Sequence, residues 1–430
     1  MADLKSSVLV LFTGFGLILP SPLMASPAKK EETVMTSNAS LSGWTEFLAG
    51  LDAAGKRMAQ RLPERLRADP VAVQQSYRLM LAATARLAID AIVGDRAHPV
   101  FVPEINLAMN IFQPNADSVY RSAMIDAKGT YRLRGKRGSV SYFKMAQLRD
   151  MIRTNQPSGA LAYADFKDLK LDSEGNFDVI LSAERPANYT GDWWKLEPAT
   201  EKLMVRQVAS DWGKEVDPTL SIERLDTPAA KPQLSAAEMS ARLAELPNMI
   251  ANASSFFVDH VEGLRRDGFI NKFRVFDLTN MTGLVGQFYY EGAYQLAPDE
   301  ALLVEAKVPE TCGYWSLILT DDVYETTDWV NNHSSLNDAQ ARVDKDGLFR
   351  AVISAQDPGV PNWLDTAGNA SGAVQGRWLD CSDKPIPDTR VVKVKDIRKY
   401  LPADTPSVTA EQREASIRER RTQFQQRPLW

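Results

Sequence analysis

The spacing of apolar residues predicts four helices. In residues 44–62 and 71–93, apolar side chains recur every three or four positions, which is the period of a helix with a buried face. Leucine and alanine crowd the second segment, so we expect that helix to be buried on most of its surface. Ser235, followed three residues later by Glu238, is typical of a helix start, and residues 235–265 should form a helix that Pro247 kinks or splits. The fourth helix covers residues 409–426.

Short apolar runs separated by turn residues predict strands in the rest of the chain. They are residues 130–133, 139–143, 177–181 and 202–208, and then 300–308, 313–319, 347–354, 373–379 and 389–394. No internal repeat of fixed period is visible. Because strands follow strands, we predict an α+β chain, with helical N-terminal segments and antiparallel β-sandwich or jelly-roll-like sheets in two packed domains.

The N-terminus predicts export. Lys5 precedes an apolar run over residues 8–19 and small residues around Ala25, a pattern typical of a signal peptide covering residues 1–25. The run is shorter than the roughly 20 residues that span a bilayer. We therefore expect a periplasmic or secreted protein with no stable membrane span after signal cleavage. An uncleaved anchor is the alternative, because Asp3 reduces the positive charge that precedes the run.

Four further segments follow the signal peptide. We predict a linker over residues 26–42, an N-terminal α+β domain over 43–227, a C-terminal β-rich domain over 233–405 that opens with the long helix, and a C-terminal helix over 406–430.

Composition and charge exclude several classes of function. The net charge of −5 over 430 residues provides no broad basic field, so we expect no nucleic-acid partner. The chain has no glycine-rich turn between a strand and a helix, which argues against nucleotide cofactors. Its three histidines lie far apart and outside metal-ligand spacings, so no metal and no other cofactor is expected.

Cys312 and Cys381 are the two cysteines of the chain. In an oxidising compartment they could form a disulfide, and two buried small side chains are the equal alternative.

Three segments rich in polar and aromatic side chains supply the candidate site residues. Residues 328–337 surround His333, residues 357–368 form an irregular Pro- and Gly-rich loop, and residues 114–121 precede the first strands. Such loops often carry function, although Asn and Ser also simply form turns. The candidates in them are Asp328, Trp329, Asn331, His333, Trp363, Asp365, Asn115, Asp117 and Tyr120.

The leading hypothesis is an exported enzyme that acts without metal or nucleotide. It would be a lyase or hydrolase for a small or oligomeric ring-containing substrate, with His333 or Tyr314 as general base or acid. Asp328 or Asp365 would tune that group. Arg350 and Asn331 would stabilise developing negative charge.

A non-catalytic periplasmic binding protein is the alternative. In that hypothesis Trp329 and Trp363 stack on a sugar or an apolar ring, and Asn115, Asp117 and Tyr120 fix its orientation. The expected partner in either case is a small molecule or an oligosaccharide. A structural or assembly role in the envelope is a third possibility, and a homo-oligomer is left open.

Several of these segments resemble a known bacterial family. Residues 313–317 (GYWSL), 328–331 (DWVN), 335–337 (SLN) and 357–368 (DPGVPNWLDTAG) resemble the C-terminal domain known as domain of unknown function 1214. Residues 115–120 (NADSVY) resemble the Asn-x-Asp-x-x-Tyr signature of its usual companion, domain of unknown function 1254. The resemblance implies a secreted or periplasmic two-domain protein with sandwich-like sheets, and it implies no reaction.

Overall fold

The computed structural model describes residues 43–278 and 286–428. The predicted signal peptide and linker lie outside the described residues. The helices of the described ranges are α1 Trp44–Arg61, α2 Glu64–Arg67, α3 Pro70–Val93, α4 Met151–Thr154, α5 Ala236–Ser255, α6 His260–Arg266 and α7 Ala410–Gln426. Within these ranges, no helix combines the length and apolar character that crossing a membrane requires.

The first half of the chain folds into two sheets. Its strands are β1 Val102–Pro103, β2 Ser118–Met124, β3 Tyr131–Lys136, β4 Tyr142–Leu148, β5 Ala162–Asp165, β6 Asn176–Ser182, β7 Asp192–Lys195, β8 Lys202–Val208 and β9 Ser221–Arg224. One sheet has the order β1-β2-β8-β4-β5, and the other has the order β7-β6-β3-β9. All neighbours are antiparallel except β6 and β7. A core of Phe, Leu, Val and Met side chains from both sheets joins them.

The second half repeats this topology strand for strand. Its strands are β10 Arg274–Phe276, β11 Gln287–Gln295, β12 Glu300–Lys307, β13 Tyr314–Leu319, β14 Ser335–Asn337, β15 Leu348–Ser354, β16 Trp363–Asp365, β17 Ser371–Leu379 and β18 Asp388–Lys393. The sheet orders are β10-β11-β17-β13-β14 and β16-β15-β12-β18, which are the first-half orders shifted by nine strands. The parallel pairing of β6 with β7 also recurs at the same place, between β15 and β16. The molecule therefore contains a structural duplication that the sequence pattern did not reveal.

Strand registers define which residues correspond in the two halves. Tyr120 of β2 pairs with Arg206 of β8, and Tyr289 of β11 pairs with Arg377 of β17. In the same registers Tyr142 of β4 pairs with Val208, as Tyr314 of β13 does with Leu379. In each of these pairs, the residue of the first half and its counterpart in the second half are separated by nearly the same number of residues in the sequence.

The predicted fold class is confirmed, with two differences in the helices. Helix α5 begins with the predicted capping box at Ser235 and Glu238 and continues through Pro247, so the predicted span of residues 235–265 is divided after Ser255, before α6, and not at Pro247. Helix α3 is less buried than expected, because Tyr77 and Leu81 are exposed on its outer face.

A disulfide connects two strands of the second half, and helix α7 connects the second half to the first. Cys312 and Cys381 form a disulfide across the adjacent strands β13 and β17, which decides between the two alternatives for these cysteines. Helix α7 packs Phe424 against Trp212 and Trp329, and its buried Arg420 donates to the Trp329 carbonyl oxygen.

Candidate ligand-binding site

A cavity lies where the two five-stranded sheets meet. Its volume is about 130 Å³, and it is partly open to solvent. This space is comparable to an apolar protein cavity of roughly 150 Å³ that holds a benzene molecule. Both halves of the duplication contribute, since strands β2 and β8 of the first sheet and β11, β13 and β17 of the second line it.

Aromatic side chains form much of the cavity wall. Phe112 packs edge-on against Phe256 and Phe257, with ring centroids 5.8 Å and 6.0 Å apart. Phe257 also contacts Tyr324, at 5.2 Å between ring centroids. Such a wall provides the apolar surface that small organic ligands bury.

Arg377 is the most unusual polar residue of the cavity. It is 3% exposed, and its guanidinium donates to the neutral oxygens of Gln375 at 2.5 Å and Ser316 at 3.4 Å. No ion pair among the described residues includes it. Burying a charge costs several kcal/mol unless an opposite charge compensates. The negative charge of Asp117 acts on Arg377 from a distance without forming an ion pair. Arg377 therefore places a buried positive charge at the cavity with no carboxylate in direct contact among the described residues, which is an arrangement that an anionic ligand completes.

The duplication places a second arginine at the corresponding position. Arg206 lies over the Tyr120 ring, 5.5 Å from its centroid, and Arg377 lies over the Tyr289 ring at 5.6 Å. All four side chains line the cavity. Each half thus contributes one Tyr–Arg cation–π pair to the cavity wall.

Tyr314 joins the cavity to a buried carboxylate. Its hydroxyl donates to Asp117 Oδ2 at 2.5 Å and accepts from Asn115 Nδ2 at 2.8 Å. Asn337 and Trp212 donate to the other Asp117 oxygen, at 2.8 Å and 2.9 Å. Burial raises the pKa of Asp117 despite these hydrogen bonds. The contact links the first half, through Asp117, to the second.

Glu104 and Lys202 also border the cavity, but their charges compensate each other. Lys202 Nζ lies 2.6 Å from Glu104 Oε1, while Arg86 and Ser122 donate to Glu104 Oε2. Although burial opposes it, the positive charge of Arg86 and Lys202 holds the pKa of Glu104 well below its usual range. This group is therefore a closed network rather than an anion site.

Strained backbone clusters at the cavity. Phe112, Gln113 and Tyr324 have φ values of 58°, 56° and 68°, in the left-handed region that bulky residues rarely adopt. Gln113 is 6% exposed, and its Nε2 has no hydrogen-bond partner within the described part of the chain. Strain and an unsatisfied donor both cost stability, and they are found preferentially at functional sites.

The structure brings together some of the candidate residues and separates the others. Asn115, Tyr120 and Tyr314 line the cavity, and Asp117 lies directly behind Tyr314. The remaining candidates, which are His333, Asp328, Asn331, Asp365, Arg350, Trp329 and Trp363, are not among its lining residues.

His333 is buried in the second half. It is 7% exposed, and its Nδ1 contacts the Trp363 carbonyl oxygen. Burial, with the nearby charges of Arg420 and Arg413, lowers the pKa of His333 to about 3. A histidine that stays neutral and enclosed is not placed to exchange protons with a ligand in the cavity.

Trp363 has a counterpart that explains its position. Trp363 Nε1 donates to Ser354 Oγ at 3.1 Å, and the register-equivalent Trp193 donates to Ser182 Oγ at 3.0 Å. The same bond in both halves indicates a structural role in holding the parallel strand pair. Trp329 is likewise in the core, at 2% exposure against Phe424.

The remaining polar candidates make local contacts. Asp328 accepts from the backbone and side chain of Asn331 and so closes a turn. Asp365 accepts from the Ala367 backbone at 2.7 Å. Arg350 lies on the outer sheet, where it pairs with three carboxylates: Glu305, Asp344 and Asp346.

Sequence reasoning missed Arg377, Arg206 and Gln113. Both arginines lie in apolar segments, 202–208 and 373–379, that were predicted as strands and not as parts of a site. A charged residue in the middle of such a segment was the available signal. Among the described residues, no group of three or more His, Cys, Asp or Glu side chains is arranged to hold a metal ion.

Comparisons place the fold among solved structures. A crystal structure of an uncharacterized protein from Burkholderia cenocepacia has a TM-score of 0.75 and 28% sequence identity, and the match covers 82% of this chain and 97% of that chain. The VPA0106 protein from Vibrio parahaemolyticus has a TM-score of 0.42 and 13% identity, covering 74% of this chain and 98% of that chain. Curated protein sequences gave no match.

The family comparison concerns the second half. It supports the C-terminal part of the resemblance, whereas the likeness of residues 115–120 to the companion domain stays a prediction. Residues 295–380, which include Tyr314, Gln375 and Arg377 of the cavity, match the family described as protein of unknown function (DUF1214).

Proposed function

We propose that the protein binds a small organic anion with an apolar, ring-containing body in the cavity between the two sheets. The observation that carries this proposal is the buried guanidinium of Arg377, which borders the cavity without a carboxylate partner among the described residues. The aromatic wall at Phe112, Phe256 and Phe257 supplies a complementary surface for the ligand body.

We also propose that the protein is located in the periplasm or outside the cell. The predicted signal peptide and the disulfide between Cys312 and Cys381 support this, because structural disulfides persist in oxidising compartments.

A pair of isosteric ligands tests the proposed function. We expect benzoate to bind the protein in isothermal titration calorimetry and benzamide, which has the same size and no charge, to bind at least about tenfold more weakly. Arg377→Gln should abolish this preference. Arg350→Gln is the matched control, because it removes an arginine that is ion-paired on the outer sheet. Equal binding of benzoate and benzamide, or an unchanged preference in Arg377→Gln, would contradict the proposal.

A second candidate function is catalysis by an exported lyase or hydrolase. The contact of the Tyr314 hydroxyl with Asp117 at the cavity wall favours it, since a buried carboxyl group with a raised pKa can retain a proton for transfer. In this scheme Tyr314 would act as the general acid towards a bound ligand. Chromatographic product analysis of ligand mixtures tests it: product formed by the wild type and lost in Tyr314→Phe supports catalysis, and unchanged ligand supports binding alone.

A further inference from the structure

We infer that the protein has a second anion site, at Arg121, which takes a singly charged carboxylate. The site is a cleft of about 590 Å³ that is open to solvent and is lined by Arg121 of β2, residues 212–220 and residues 426–428. It shares no lining residue with the cavity between the sheets. Successive side chains of a strand point to opposite faces of the sheet, so Tyr120 borders the cavity and Arg121 borders the cleft. The inference goes beyond the proposed function and does not rest on it.

The guanidinium of Arg121 is buried without a carboxylate in contact. Arg121 is 7% exposed, no ion pair among the described residues includes it, and its enclosed Nε has no hydrogen-bond partner there. Burial lowers the pKa of Arg121, and the negative charge of Asp217, acting from a distance, opposes this effect. A buried charge that lacks a partner in contact costs several kcal/mol, which a ligand of opposite charge would offset.

The carboxylates that border the cleft are engaged by other donors. Arg427 Nε and Nη2 each lie 3.0 Å from an oxygen of Asp217. Glu215 accepts three backbone N–H bonds of 2.8–3.0 Å, and the donors are Ser141, Ser210 and Asp211. Lys214, the remaining cationic residue of the lining, pairs with Asp211 at 2.8 Å. Of the three cationic residues that line the cleft, Arg121 is therefore the one without an ion pair among the described residues.

The duplication shows that the fold does not require a charge at this position. Arg121 pairs with Val205 in the first half, and the same register position of the second half is Tyr290, which pairs with Gly376. Tyr290 is 1% exposed and packs edge-on against Phe273, with 5.2 Å between ring centroids. An uncharged core side chain therefore serves the equivalent strand, and the charge of Arg121 calls for a different explanation.

The charges of the cleft indicate the class of ligand. A guanidinium presents a planar fork of N–H donors that matches the two oxygens of a carboxylate. One unpaired guanidinium balances one negative charge. A dianion such as phosphate would also be repelled by Glu215 and Asp217 at the border of the cleft.

Fluorine NMR of trifluoroacetate tests the site, and trifluoroethanol is the uncharged control of similar size. Because the cavity also binds an anion in the proposed function, the titrations use the full-length Arg377→Gln variant and compare it with Arg377→Gln/Arg121→Gln. We expect trifluoroacetate to bind the single variant at least about fivefold more tightly than the double variant, and trifluoroethanol to show no such difference. Adding Arg350→Gln instead of Arg121→Gln should leave the affinity unchanged. Thermal unfolding verifies that each variant is folded.

A second measurement uses the unmodified chain and does not depend on the folding of a variant. Phenylglyoxal reacts with arginine side chains, and peptide mass spectrometry follows the reaction at Arg121. Acetate should slow this reaction and uncharged acetamide should not, because only acetate pairs with the guanidinium.

Three results would overturn the inference. Equal affinity of the two variants for trifluoroacetate, or equal protection of Arg121 by acetate and acetamide, would show that Arg121 binds no carboxylate. Displacement of trifluoroacetate by inorganic phosphate at lower concentration than by acetate would overturn the carboxylate class. All three leave the proposed function intact, since that function is tested separately by the loss of benzoate preference in Arg377→Gln.

Discussion

Arg377 lies two residues before the end of strand β17, and its side chain is buried. Its immediate neighbour shows how crowded the strand is: a Cβ on Gly376 would lie 1.9 Å from the Tyr290 ring. A charge in such a place lowers stability unless it serves another purpose. Function and stability should therefore respond in opposite directions when Arg377 is replaced.

The first prediction follows from this opposition. Arg377→Met should raise the free energy of unfolding of the ligand-free protein by about 1–3 kcal/mol, because an apolar side chain of similar length removes a buried unpaired charge. Urea unfolding followed by tryptophan fluorescence measures it. Arg350→Met should lower the free energy of unfolding, since it leaves three carboxylates without their ion-pair partner. Destabilisation by Arg377→Met would mean that Arg377 holds the fold rather than a ligand.

Tyr314 gives a second prediction with an internal control. Tyr314→Phe leaves the buried carboxylate of Asp117 without its closest donor, so we expect a loss of about 1–3 kcal/mol in the free energy of unfolding. The register-equivalent Tyr142 contacts Asp380, whose side chain is 45% exposed and can be hydrated by solvent. Tyr142→Phe should therefore cost less in the same urea experiment. Equal losses would show that burial of the carboxylate does not decide the cost.

At the residue scale, the sequence led to part of the site. The segment that contains Asn115 and Tyr120 was selected because polar side chains are dense in it, and Tyr314 was selected as a candidate acid or base in one of the segments that resemble the family. All three line the cavity. The same criterion also selected Asp328 and Asn331, which form a turn away from the cavity, where Asn331 accepts from Arg421 of helix α7. Local composition cannot distinguish residues that line the cavity from residues that form a turn elsewhere. Which side chains meet at the cavity depends on how strands that are distant in the sequence pair.

Among the elements, strands that face a core were predicted best. Strand β8 has the predicted bounds, residues 202–208, and β13 and β15 differ by one residue at their start. Strands β2 and β11 were missed, although β11 is nine residues long. Both strands carry buried polar side chains, such as Glu291 paired with Arg274, and these interrupt the apolar alternation on which strand prediction depends.

The duplicated strand pairs make a prediction about tryptophan. Trp193→Phe and Trp363→Phe each remove one indole N–H bond to an equivalent serine, and each should lower the free energy of unfolding by about 1 kcal/mol. Chemical denaturation of the two variants, with the other tryptophans as probes, measures both. If Trp363→Phe instead weakened ligand binding without a change in stability, Trp363 would belong to a binding surface.

The disulfide is an element-scale restraint, because it joins the start of β13 to the end of β17. Cys312 and Cys381 are separated by 69 residues in sequence. Closing a loop of this size should stabilise the fold by about 2–4 kcal/mol relative to a Cys312→Ser/Cys381→Ser double variant. Thermal unfolding of both proteins, with and without dithiothreitol, tests this. The reductant should lower the unfolding temperature of the wild type alone, and an equal response in both would argue against the disulfide.

For the whole molecule, two buried carboxyl groups predict how stability depends on pH. Burial raises the pKa of Asp321 to about 7 and, with the adjacent Asp321, that of Glu325 to about 9. The folded state therefore holds more protons than the unfolded state, in which carboxyl groups titrate near 4. Stability conferred by the protonated groups is lost as pH rises through their folded pKa values.

The measurable window lies between pH 7 and pH 9. Below pH 6.5 the lowered pKa of His333 has the opposite effect on stability, because its ring takes up a proton in the unfolded state but stays neutral in the folded state. Above pH 6.5 this effect is absent. We expect the free energy of unfolding to fall by about 1–2 kcal/mol from pH 7 to pH 9, and we expect Glu325→Gln to make this fall smaller. Urea titrations at each pH provide the measurement. An equal slope in Glu325→Gln would assign the dependence to other groups.

The repeated topology also changes how the sequence can be interpreted. The two halves can be aligned with each other as two homologous structures would be. The alignment comes from the hydrogen-bond register of the strands rather than from sequence similarity. What both retain, such as the tyrosine with its arginine and the tryptophan with its serine, marks what either copy requires. At Tyr142 and Tyr314 the halves differ, because Tyr142 contacts Asp380 and Tyr314 contacts the buried Asp117. Each residue near the junction of the halves therefore has an equivalent residue in the other half. A variant at one position can be compared with the same variant at its equivalent.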